Sequence, residues 1–116
     1  MDVGLGKRLF DFAVRTIKYC RMLPKSKEYE IISYQLIKSS TSSGANYEEA
    51  QGAISKPDFF HKINICLKEM RETNYWLRIL KEIKSNDDNI EIILKESLEL
   101  MRILGSISSK SLKRNE

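Results

Sequence analysis

PDFFHKINICLKEMRETNYWLRILKEIK, running from Pro57 to Lys84, decides how the chain folds. Stepped at about 100° per residue, it presents two apolar stripes. One holds Phe59, Phe60, Ile63, Cys66, Leu67, Met70 and Leu77. The other holds Ile65, Trp76, Ile79, Leu80 and Ile83, with Glu69 and Glu72 set into it. A single stripe is enough to dock a helix on its own core. A second one calls for a further partner, either another helix of the chain or another copy of it.

Three more helical segments flank this one. Upstream, Leu5 to Leu23 sets Leu5, Leu9, Phe10, Phe12, Ala13, Val14, Ile17 and Cys20 on one broad side, opposite Lys7, Arg8, Asp11, Arg15 and Lys18. Pro24 ends that helix. The second is expected over Glu28 to Gln51, with a seam of Tyr29, Ile32, Leu36, Ser39 or Ser40, Ser43, Tyr47 and Ala50. Propensity alone would put a loop at Ser39-Ser40-Thr41-Ser42-Ser43-Gly44-Ala45. The seven-residue spacing crosses it without a change of phase, which favours one long helix, tightly packed at its centre. Hydroxyls there can bond back to carbonyls one turn earlier. Gly52 to Lys56 forms the next break. Ser55 or Lys56 caps the third helix, Pro57 suits its first turn, and Asp58 suits its dipole.

Downstream, Ser85-Asn86-Asp87-Asp88 reads as a turn and cap. A fourth helix follows over Asn89 to Ser108, with Ile90, Ile93, Leu94, Leu98, Leu100, Met101, Leu104 and Ile107 on one side. Ile92 and Ile103 lie outside that side and hint at a second contact. Residues 109–116, basic and aperiodic, are expected to fray. Four amphipathic helices joined by short breaks imply an all-α, antiparallel, up-down-up-down four-helix bundle over residues 1–108.

The chain has 116 residues, 31% of them charged, and a net charge of +4. That is the size of one domain and the composition of a soluble one. Lys7, Arg8, Arg15, Lys18, Arg21, Lys25 and Lys27 stand against Asp2 and Asp11, so this opening segment carries the basic excess. Such a run is most often a solvated helix face. The sharper reading is a phosphate-contacting surface for RNA or DNA centred on Lys7, Arg8, Arg15 and Lys18.

Cys20 and Cys66 lie on apolar helical faces outside any CxxC pattern, as reduced core thiols of a cytoplasmic protein would. No secretory leader and no membrane-spanning run is expected. A di-iron bundle needs two Glu-x-x-His motifs; the single His61 is preceded by Asp58 at that spacing. Two cysteines are too few for a zinc site. There is no phosphate-binding loop and no nucleophile elbow. No catalytic residue, cofactor or metal is expected.

Two motifs carry a family resemblance: Ser43-Gly44-Ala45-Asn46-Tyr47-Glu48-Glu49-Ala50, then Phe59-Phe60-His61-Lys62-Ile63 with Leu67-Lys68-Glu69 and Arg71-Glu72-Thr73-Asn74-Tyr75-Trp76-Leu77. Together they resemble the four-helix-bundle proteins encoded in intervening sequences of bacterial 23S ribosomal RNA genes. The resemblance spans roughly Leu9 to Leu104. It implies a bundle that assembles into a ring-like homopentamer. One branch of the family, the accessory protein of diversity-generating retroelements, works with a reverse transcriptase and nucleic acid. This chain is less basic than that branch, and Ala50 stands where the family usually has Gly. Asn46, Glu49, Glu72 and Trp76 match recurrent family positions. Each pair is one helical turn apart, as a polar network fixing helix register or assembly would be. Leu80 joins them as an oligomer-facing or register-setting residue. The alternative function is a protein-interaction module using the Trp76 and Leu80 stripe, with no nucleic-acid role.

Overall fold

In the computed structural model, which describes residues 4–84 and 87–114, the chain forms four α-helices. They are α1 (Leu5–Arg21), α2 (Lys27–Gln51), α3 (Lys56–Ile83) and α4 (Asp88–Arg114). No strand occurs among the described residues. None of these helices is long and apolar enough to cross a membrane.

The helix starts have local causes. Gly4, at φ 83°, takes the left-handed conformation just before α1, a backbone region open to glycine. Ser26 accepts the Tyr29 N–H and opens α2. At α3 the capping residue is Ser55: its hydroxyl accepts the Asp58 N–H at 3.1 Å, and the Asp58 carboxylate accepts the Ile54 N–H at 3.3 Å. The first bond satisfies a donor that the first turn would leave open, and the second ties the residue before the cap to the same turn. Pro57 sits in that turn, where its missing N–H costs nothing.

The serine-rich middle of α2 is helical throughout. Its outward hydroxyls bond back along the helix, Thr41 Oγ1 to the Ile37 carbonyl at 2.7 Å. Two inward ones, those of Ser39 and Ser43, cross to α3. Ser43 Oγ donates to the Cys66 carbonyl at 2.9 Å, and the Ser39 and Thr73 hydroxyls lie 2.8 Å apart. All three residues are buried. Short side chains there bring the two helices together and leave no buried hydroxyl unpaired.

Helices adjacent in sequence pack on one another, and α1 closes against α4. Along α2 and α3 the partners run Ser39 with Thr73, Ser43 with Cys66 and Glu49 with Lys62, so one number rises as the other falls. Asn64 with Ser108, Asn74 with Ser97, and Lys81 with Glu91 repeat the trend between α3 and α4. The core centres on Leu9, Phe12, Leu36, Ile63, Met70, Leu77, Leu80, Ile90, Ile93, Leu100 and Leu104.

Five expectations change. Leu80 does not face outward: it is 0% exposed, in the same core as Met70 and Leu77. The second stripe of α3 narrows to half-buried Ile65, Trp76 and Ile79 and exposed Ile83. The broad apolar side of α1 splits. Leu5, Leu9, Phe12 and Cys20 turn inward with Thr16 and Tyr19, while Phe10 is 65% exposed. On α4, Ser97 takes the interior and Leu98 the surface, because the Ser97 hydroxyl bridges Asn74 and the Leu94 carbonyl. The last helix also continues past Ser108 to Arg114. Asn115 and Glu116, the end of the expected frayed segment, lie outside the described residues, as do Ser85 and Asn86 of the expected turn.

Candidate nucleic-acid interface

The basic residues expected to act together fall into two groups. Lys7 bonds the exposed Asp11 carboxylate at 2.7 Å, one turn along α1. A pair so exposed is weak and screened by salt. Arg8 is committed elsewhere. Its guanidinium grips Glu96 with two hydrogen bonds, at 2.8 and 3.2 Å, and reaches Glu99 at 3.1 Å. The bonds to Glu96 and Glu99 hold its charge more firmly, outweighing the partial burial that opposes it. This fork ties α1 to α4 and leaves Arg8 little to offer a phosphate.

Farther along α1 the carboxylates run out. Arg15, Lys18 and Arg21, then Lys25 and Lys27 across the turn into α2, are all exposed. Among the described residues none of the five has an ion-pair partner. Arg21, Lys25 and Lys27 border an open depression of about 540 Å³ at the α1–α2 turn. Arg15 and Lys18 border a second recess, of about 310 Å³, between α1 and the start of α4. Its other walls are Tyr19, Met22, Asn89, Ile92 and Ile93.

A part-buried polar knot supports this end. The Tyr19 hydroxyl donates to Asp87 at 2.5 Å, and the same carboxylate accepts Lys84 Nζ and the Asn89 N–H, each at 3.0 Å. Burial opposes the Asp87 charge, but the Tyr19, Lys84 and Asn89 bonds outweigh it and hold the carboxyl below its usual range. Burial, and then the Asp87 carboxylate, push the Tyr19 phenol well above its ordinary value. Tyr19 therefore stays neutral and its ring is fixed, giving the recess a rigid floor.

The family-matched positions do not converge. Asn46 Nδ2 donates to the Ser42 carbonyl at 2.8 Å, within α2. Glu49 reaches across to Lys62 at 2.8 Å. Trp76 Nε1 donates to Glu72 at 3.2 Å, within α3. The carboxylates of Glu49 and Glu72 are thus each held by a different neighbour. Among the described residues no cluster of His, Cys, Asp or Glu is placed to hold a metal ion. Cys20 and Cys66 are buried free thiols, and burial raises both, Cys66 to about 12. At neutral pH they are thiols, unsuited to metal or nucleophilic chemistry.

The comparisons with known proteins agree with this architecture. The family model described as 23S rRNA-intervening sequence protein matches residues 2–106. This chain belongs to that family. Among solved structures, the chain resembles a protein of unknown function from the S23 ribosomal protein family of Bacteroides thetaiotaomicron. The two are 36% identical, with a TM-score of 0.82 over 90% of this chain and 97% of that one. No curated protein matches.

Sequence reasoning missed Met22 and Asn89 as members of the basic recess. Ile92 had announced itself by falling outside the α4 stripe. Met22 and Asn89 carried no such sign, because their neighbours come from the opposite half of the chain.

Proposed function

We propose that this protein is a non-enzymatic RNA-binding bundle whose interface is the basic end of α1, with Arg15 and Lys18 at its centre. One observation carries the reading: five exposed cations from Arg15 to Lys27 lack any carboxylate partner among the described residues. Cations with no internal partner are free to displace counterions from a phosphate backbone. Lys7 adds to this surface at the far end of α1; Arg8 chiefly supports it. The falling register between neighbouring helices supports an antiparallel, up-down-up-down arrangement. Two buried thiols fit a reducing cytoplasm.

Filter binding to a structured RNA at rising salt tests the interface. For the unmodified protein the logarithm of affinity falls linearly with the logarithm of salt. In R15Q/K18Q that slope is shallower by about 1.4 to 1.8, since each of the two lost phosphate contacts removes roughly 0.7–0.9. No binding even at low salt overturns the proposal.

A second reading is self-assembly, and the open flank of α1 favours it. Phe10, Ala13, Val14 and Ile17 line a groove of about 280 Å³ with Thr41, Gly44 and Ala45 of α2. A ring-like homo-oligomer needs such a patch to meet a different patch on the next copy, and a ring would multiply the phosphate contacts. With Leu80 in the core, this groove replaces the α3 stripe as the assembly surface. F10E is expected to lower the mass seen by light scattering while the circular dichroism stays helical. A mass unchanged by F10E, or a monomer from the outset, counts against assembly through this groove.

A further inference from the structure

The recess between α1 and α4 has a shape that a generic phosphate-binding surface does not need. A duplex offers evenly spaced phosphates on a convex rod, and a row of cations on open surface is enough to meet it. Here the two free cations border a concavity with an apolar interior. Ile93 is buried at its base, and Met22 and Ile92 stand 78% and 53% exposed. At about 310 Å³ the recess lies near the lower end of small-ligand sites, too small for the face of a helix.

One polar group there is uncommitted. The backbone N–H of Asn89 bonds Asp87, but its side-chain amide makes no hydrogen bond among the described residues. A free amide can both donate and accept, which is what reading the edge of a nucleobase requires. In a paired RNA helix the base faces are stacked out of reach, whereas in loops and bulges they can be splayed out.

We infer that this recess takes the base of an unpaired nucleotide of RNA, held between Met22 and Ile92, with its flanking phosphates on Arg15 and Lys18 and its edge against Asn89. The inference rests on the RNA-binding reading above and narrows the ligand from RNA in general to RNA with an extruded base.

The test compares two RNA hairpins of equal phosphate count, one with a single-nucleotide bulge and one fully paired, across a salt series. The bulged hairpin is expected to bind about tenfold tighter, since seating the base against Met22 and Ile92 takes apolar surface out of water, with the same salt slope. In M22S/I92S, whose substituted side chains are exposed, the preference disappears while the slope and the paired-hairpin affinity remain. N89A changes which of the four bulged bases binds best. Equal affinity for both hairpins with a normal slope, or a preference that survives M22S/I92S, overturns the base site and leaves the basic interface standing. No binding to either hairpin at low salt removes both.

Discussion

L80A is expected to lower the unfolding free energy by about 2–5 kcal/mol, the range for deleting most of a fully buried leucine side chain. The residue is 0% exposed, so its loss opens a cavity among side chains that cannot fully collapse into it. In urea the midpoint falls while the slope of the transition stays constant, because the surface exposed on unfolding barely changes. Ile83, assigned from sequence to the same stripe, is the control. At 45% exposure, I83A is expected to cost under about 1 kcal/mol, in line with the smaller apolar area it removes. An L80A protein that keeps its urea midpoint but loses oligomer mass would restore the outward-facing role and refute the core assignment.

The second large effect is expected at Ser43, where S43L costs about 3 kcal/mol and S43A no more than about 1.5. Leucine is the better helix former, so local propensity alone predicts the opposite sign for S43L. Packing decides it. The Ser43 side chain is 0% exposed and its hydroxyl lies 2.9 Å from the Cys66 carbonyl, so a leucine must force α2 and α3 apart. Alanine removes one net hydrogen bond and leaves the helices where they are. Thermal melts of the three proteins give the comparison. If S43L melts within a degree or two of S43A, the seam has slack and the close-approach account fails.

Most of the architecture is legible in residue order, for an identifiable reason. Helical phase survives wherever a segment packs on one side, as in the α3 stripe from Ile63 through Met70 to Leu77. It blurs where polar residues go inside. Thr16 and Ser97 are 0% exposed because each bonds a carbonyl of its own helix, and Ser97 also meets Asn74. A scale of hydrophobicity puts such residues outside, and so it preferred Leu98. Phase also cannot count partners. Leu80 and Trp76 shared a stripe on a helical wheel, but α2 and α4 cover only part of it. The basic end shows the same boundary. That α1 is basic follows from composition. That Arg8 is gripped by Glu96 and Glu99 while Arg15 and Lys18 stay open depends on side chains some ninety residues away, which local pattern does not reach.

Each helix packs on its sequence neighbours, and α1 meets only one distant partner, α4. Helices that pack mainly on their sequence neighbours have low contact order, and low contact order goes with rapid folding, in microseconds to milliseconds. The Arg8–Glu96 and Tyr19–Asp87 bonds join residues 88 and 68 apart in sequence, so their loop entropy must be overcome before they contribute. A chain emerging from synthesis can therefore zip α2 onto α3 early. The closure of α1 against α4, which also shapes the basic recess, waits until the last helix is made.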